Sequence, residues 1–140
     1  MILMGAIATR GIDSYRQTEI QSRSPLELVV MLYDGALRFT ADAREAMVRH
    51  DIRTRQQNLS RALAIVSELQ STLDMETGGE VAQHLDKLYG FVRDRLIDAS
   101  VNQDLQPLDE ARRVLTTLRE GWLAISRASA TAAATSSLAR

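Results

Sequence analysis

Apolar residues recur at steps of three and four along four segments of the chain, and no segment shows the two-residue alternation of a strand. The first segment opens at Ser24-Pro25-Leu26-Glu27 and continues to about residue 50. Ser24 can cap a helix, Pro25 suits a first turn, and Glu27 can return a hydrogen bond to the capping residue. These three structural positions predict the start of a long helix.

Short breaks separate the other three segments. The second follows Asp51 and ends at Gly78 and Gly79, because glycine readily adopts the left-handed conformation that closes a helix. The third opens near Glu80, and the fourth opens near Pro107 after a polar break. Four long helices with short connections predict an all-α fold, an antiparallel up-down four-helix bundle.

The two ends of the chain differ from the segments between them. Residues 1–10 are expected to be disordered, and their apolar run is too short to span a membrane. Residues 11–127 are expected to form one bundle domain, with an N-terminal docking segment ahead of the first helix. Residues 128–140 are mostly Ala, Ser and Thr, which predicts a flexible, disordered C-terminal tail.

Charge and composition narrow the possible partners. The 17 lysines and arginines balance 18 aspartates and glutamates, so the chain has no net field that would attract nucleic acid or an anionic membrane. It contains no cysteine, which excludes disulfides and thiolate chemistry. We therefore expect a cytoplasmic protein that neither binds nucleic acid nor inserts into a membrane.

The sequence gives little support for a metal site. Di-iron bundles carry Glu-x-x-His pairs, but the residues three before His50 and His84 are Met47 and Val81. We predict no metal, no cofactor and no catalytic residue.

Four arginines gather around the first connection and could contact an acidic partner or RNA. A solvated helix end is the simpler interpretation of this cluster, because the net charge is near neutral and no aromatic residues are interleaved. The four are Arg49, Arg53, Arg55 and Arg61.

The second and fourth helices carry more apolar surface than one core-facing stripe requires. On the fourth helix the apolar arc spans ~180°, where ~100° is sufficient. Either a long bundle buries this surface, or part of it binds a partner. The candidate partner-binding residues on these helices are Ile65, Leu69, Val114, Leu118, Trp122 and Ile125.

Several phrases, in order and at the right spacing, resemble the FliS flagellin export chaperones over residues 11–126. The matching phrases are Gly11–Tyr15, Ser24–Leu28, Met31–Ala36 and Leu73–Ala82, followed by Trp122 in the fourth helix. The resemblance implies a four-helix bundle that binds the C-terminal segment of flagellin. It further implies that the bundle prevents premature polymerisation and assists delivery to the flagellar export gate, without a nucleotide.

The resemblance also implies roles for particular residues. The segment before the first helix takes part in client binding in this family, so Ile12 and Tyr15 are expected to be partner-binding residues. Asp34 and Gly35 are expected to be structural: the glycine permits close helix approach, and the aspartate could bond a neighbouring backbone group. Two rivals stay open, a metal-dependent bundle enzyme and a generic helical adaptor or dimerising bundle outside the flagellar system.

Overall fold

The computed structural model describes residues 24–138, leaving out the side chains of residues 133, 134 and 136–138. This part of the chain contains four α-helices and no strand. Their bounds are α1 Pro25–Val48, α2 Ile52–Ser71, α3 Gly79–Asn102 and α4 Leu105–Leu138. The predicted all-α class is therefore confirmed.

Helix α1 begins with a capping box. The Ser24 hydroxyl accepts a hydrogen bond from the Glu27 backbone N–H at 3.2 Å, and the Glu27 carboxylate accepts one from the Ser24 N–H at 3.3 Å. Pro25 occupies the first turn, where its missing N–H costs no hydrogen bond. These bonds involve only residues three apart, which explains why the sequence alone predicts the start of α1.

The helices form an antiparallel bundle in which each packs against its two neighbours in the order α1, α2, α3, α4 and back to α1. Two ion pairs between α1 and α4 show that these helices are antiparallel, because the residue numbers rise along α1 and fall along α4. Asp34 forms an ion pair with Arg119, whereas Arg44, further along α1, donates through Nε to Asp109 Oδ1 at 2.8 Å. The predicted up-down bundle is thus confirmed.

All four helices contribute to one hydrophobic core. The side chains of Tyr33, Leu59, Leu96 and Leu108, one from each helix, are fully buried. Fully burying a large apolar side chain contributes about 1.5–3 kcal/mol, so the packing of these helices rather than their separate propensities holds the bundle together.

Gly78 and Gly79 were predicted to end the second helix, but α2 ends earlier, at Ser71, and Gly79 is the first residue of α3. Each glycine occupies a position where a side chain would not fit or would strain the backbone. Gly79 has φ +59°, whereas Gly78 is right-handed and has a different requirement. A Cβ on Gly78 would lie 2.5 Å from the Asp74 carbonyl oxygen and 2.6 Å from the Ala82 Cβ. The two glycines of this turn are therefore needed for different reasons.

Gly35 lies where α1 and α2 approach each other. A Cβ added there would be 3.2 Å from Ile65 Cδ1, closer than ordinary contact. Asp34 has a different partner from the one expected. Its carboxylate bonds the Arg119 guanidinium of α4, not a neighbouring backbone group, because the antiparallel register brings the two residues together.

Helix α4 continues past residue 127, where the sequence predicted the bundle to end, and reaches Leu138. Because Asp34 is level with Arg119, the first residue of α1 is level with about residue 128, and the rest of α4 extends beyond α1. The described side chains from Arg127 onward are exposed. Alanine has the highest helix propensity, which explains a helix without burial. Flexibility of this extension stays a prediction.

None of the described helices combines the length and the apolar character that crossing a bilayer would require.

Candidate partner-binding surface

A chain of hydrogen bonds links three helices inside the bundle. The hydroxyl oxygens of Tyr33 on α1 and Tyr89 on α3 lie 2.6 Å apart, and Trp122 Nε1 on α4 donates to Tyr33 Oη at 3.2 Å. Tyr33 and Tyr89 are 0% and 2% exposed, so their hydroxyls depend on each other for hydrogen bonds. This triad sets the position of the partly buried Trp122 ring.

Burial also determines the protonation of the two tyrosines. Desolvation raises the pKa of Tyr33 far above its ordinary value, and the nearby Tyr89 hydroxyl raises it further. Desolvation likewise raises the pKa of Tyr89. Both hydroxyls are therefore neutral near pH 7, and they serve as hydrogen-bonding groups rather than as proton carriers.

An open cavity of about 270 Å³ lies at the end of the bundle where α1 begins, α2 ends and α3 begins. Tyr89 lies at its inner wall. The side chains that line it are mainly apolar, and we call this cavity the end pocket. Its apolar lining consists of Val29, Leu69, Leu73, Val81, Leu85 and Trp122.

The seam between α3 and α4 is marked by a contact between Arg95 and Glu110, whose side chains are 3.7 Å apart. From this pair toward the end pocket, helical spacing places apolar residues on the same face of each helix. We call this surface the α3–α4 strip. It consists of Val81, Leu88 and Phe91 on α3 and Val114, Leu118 and Ile125 on α4.

Much of the α3–α4 strip is exposed. The exposed fractions are 68% for Val81, 37% for Leu88, 43% for Phe91 and 50% for Ile125. Single exposed apolar residues are common on proteins, whereas neighbouring ones that form a patch are typical of interaction sites. The strip therefore supplies a surface on which an apolar face of another molecule can be buried.

Comparison with known proteins identifies the family. Residues 8–129 match the family described as Flagellar protein FliS. The chain belongs to the FliS family.

Curated FliS relatives are similar over most of their length. The chain is 38% identical to the flagellar secretion chaperone FliS of Campylobacter jejuni over 79% of this chain and 86% of that protein. It is 35% identical to FliS of Salmonella typhimurium, over 83% and 90% of the two chains. It is 34% identical to FliSB of Pseudomonas aeruginosa, over 85% and 98%.

In this member of the FliS family, the partner-binding candidates on α4 lie along one face. Val114, Leu118 and Trp122 pack partly against the core, whereas Ile125 is half exposed. These four residues combine a packed base with an exposed end, so the bundle buries only part of the broad apolar arc of α4.

The two candidates on α2 lie elsewhere. Leu69 is 3% exposed and belongs to the core, although it also lines the inner wall of the end pocket with Trp122. Ile65 lies at the contact between α1 and α2, beside Gly35. The α3–α4 strip therefore contains neither α2 residue. Ile12 and Tyr15 lie outside the described residues.

Helix α3 contains surface residues that are not among the candidates predicted from the sequence. Val81, Leu88 and Phe91 are all exposed, although their apolar character alone would favour the core. The spacing of these three residues places them on one side of the core stripe of α3. The same measurement of the apolar arc that identified α4 would have found this side of α3.

Other chemistry has little support in the described part of the chain. Residues 24–138 contain no group of three or more histidine, aspartate or glutamate side chains arranged to hold a metal ion. His50 and His84 are both exposed on separate helical ends.

Proposed function

We propose that this chain is a flagellar secretion chaperone that binds the C-terminal segment of flagellin. By covering that segment, it prevents premature polymerisation and assists delivery to the flagellar type III export apparatus. The observation that carries the proposal is the apolar α3–α4 strip beside Trp122, much of which is exposed, in a bundle of the FliS family. The names of the relatives, flagellar secretion chaperones, support the same role.

The shape of the strip suits an amphipathic helix. From Val81 to Phe91, α3 rises ~15 Å, which matches about ten residues of a helical client. Such a helix presents apolar anchors at steps of three, four and seven residues. Ordering a segment that is disordered when free costs about 2–5 kcal/mol, so a broad apolar contact of this kind is required.

The proposal also covers the place of action and a second partner. The bundle acts in the cytoplasm without catalysing a reaction, and the export gate is a second protein partner. Ile12 and Tyr15 take part in client binding as apolar anchors, because tyrosine and isoleucine can bury large side chains at an interface.

Calorimetry with flagellin tests the proposal. Flagellin that retains its last ~40 residues, the scale of segments that fold on binding, should bind with a negative heat-capacity change, and flagellin that lacks them should not. Binding of the truncated flagellin with equal affinity would contradict the proposal. A chain that ignored flagellin but bound itself or another protein would instead be a generic helical adaptor or dimerising bundle.

Matched substitutions test the α3–α4 strip itself. Val81→Gln and Ile125→Gln should each weaken flagellin binding about tenfold, because each removes apolar burial worth about 1–2 kcal/mol. Val101→Gln is the control, since Val101 is also on α3 and is 73% exposed, close to the 68% of Val81. Equal losses for Val81→Gln and Val101→Gln would show that the strip is not the docking surface.

A further inference from the structure

A second cavity, of about 180 Å³, lies at the other end of the bundle, where α1 ends and α2 begins. Met47 lines it, whereas Val29 lines the end pocket, and these residues are separated by ~27 Å along α1. Its wall includes His50, which follows α1, and Gln103, which follows α3. Both residues have the left-handed backbone conformation. We call this cavity the α1–α2 cavity.

Arg55 is the unusual residue of the α1–α2 cavity. Its side chain lines the cavity, yet the residue is only 7% exposed, and its Nε has no acceptor in the described part of the chain. Arg49, Arg53 and Arg61, the other members of the same cluster, are exposed. The solvated helix end expected for the cluster therefore does not apply to Arg55, whose buried Nε–H needs an acceptor, and an anionic acceptor would also match the charge of the guanidinium.

Asp51, the acidic residue on the wall of the α1–α2 cavity, does not supply the acceptor that Arg55 Nε lacks. Asp51 caps α2 by accepting a hydrogen bond from the Thr54 N–H at 3.2 Å. Hydrogen bonds from Thr54 lower the pKa of Asp51, with a smaller contribution from Arg49 and Arg53. No ion pair joins Asp51 to Arg55 within residues 24–138.

We infer that the α1–α2 cavity binds a carboxylate with an apolar neighbour, supplied by a protein partner. The guanidinium of Arg55 matches a carboxylate, and Met47 and the 60% exposed Ile52 can contact the apolar neighbour. The first turn of α2 also presents backbone N–H groups, which favour an anion. At about 180 Å³ the cavity is smaller than typical small-molecule sites, so it suits one side chain or a chain terminus.

This inference does not depend on the proposed function, because the α1–α2 cavity and the α3–α4 strip occupy different parts of the bundle. The two sites could be filled at the same time by different protein segments. A flagellin segment bound along the strip would leave Arg55 available to a second partner that carries an acidic residue.

Nuclear magnetic resonance of the full ¹⁵N-labelled chain provides the test. The probe is the blocked peptide acetyl-Leu-Glu-Leu-amide, whose only carboxylate is the glutamate side chain. We expect it to shift the Nε–H signal of Arg55 in a saturable way, whereas the neutral peptide acetyl-Leu-Gln-Leu-amide should not. A third peptide, acetyl-Ala-Leu-Leu with a free C-terminus, distinguishes a chain terminus from an acidic side chain as the source.

Arg55→Gln should weaken binding of the peptide that shifts the Arg55 signal by about tenfold or more, the scale of one charge-assisted hydrogen bond. Arg53→Gln is the matched control, because it removes the same charge from an exposed position on α2. Ile52→Ser provides a second variant should Arg55→Gln fail to fold, and it should weaken binding through the lost apolar contact. Equal shifts from the glutamate and glutamine peptides, no shift from any of the three, or equal losses in Arg53→Gln and Arg55→Gln would overturn the inference.

Discussion

Replacing Tyr33 by phenylalanine removes the central member of the hydrogen-bonded triad. The Tyr33 hydroxyl lies 2.6 Å from that of Tyr89 and 3.2 Å from Trp122 Nε1. Its loss removes both of these bonds, and the buried Tyr89 hydroxyl keeps only the neighbouring Trp122 N–H as a partner. Each lost bond costs about 1 kcal/mol, so Tyr33→Phe should lower the free energy of unfolding by about 2 kcal/mol.

Tyr89→Phe is a weaker perturbation of the same triad. It leaves the Tyr33 hydroxyl in contact with Trp122, and its expected cost is about 1 kcal/mol. Each single variant removes the Tyr33–Tyr89 bond, which the double variant can lose only once, so the double variant should lose about 2 kcal/mol, less than the sum of the single losses. This deviation from additivity is the signature of the triad.

Urea unfolding of the three variants measures these losses. Helix content followed by circular dichroism and the fluorescence of Trp122, the one tryptophan of the chain, should give the same transition. The reasoning would be refuted if both single variants lost equal stability and the double variant lost their sum.

Three further predictions follow from other contacts. Burial raises the pKa of Tyr33 and Tyr89, so the folded state holds their protons more tightly than the unfolded chain. In pH-dependent unfolding, stability should be complete below the unfolded pKa of about 10 and fall above it, less steeply in the double phenylalanine variant. Gly78→Ala should cost about 1–3 kcal/mol in urea unfolding, because the added Cβ would lie only 2.5 Å from the Asp74 carbonyl oxygen. Gly90→Ala, with open space around it, should gain about 0.5–1 kcal/mol. Truncation after Arg127 should leave the melting temperature within about 2 °C, since the described side chains beyond it are exposed; a larger fall would mean that the extension packs on the bundle.

The sequence by itself determined the features that depend on neighbours along the chain. Ser24 and Glu27 form their capping bonds within one turn, and the three-to-four-residue spacing of apolar positions defines four helices. These features need no knowledge of where the other helices lie. The end of α2 is not such a feature: the helix ends at Ser71 with Thr72 in the right-handed conformation, before the Gly78-Gly79 pair that was predicted to close it.

The tertiary structure decided which apolar and charged residues stay exposed. Leu69 is buried while Val81 is exposed, and Asp34 pairs with Arg119 across two helices. Arg55 is buried while its neighbour Arg53 is not. Helical periodicity defines a face of each helix but not how that face is rotated toward the others. The rotation and register come from the summed packing of distant residues, which no local pattern in the sequence contains.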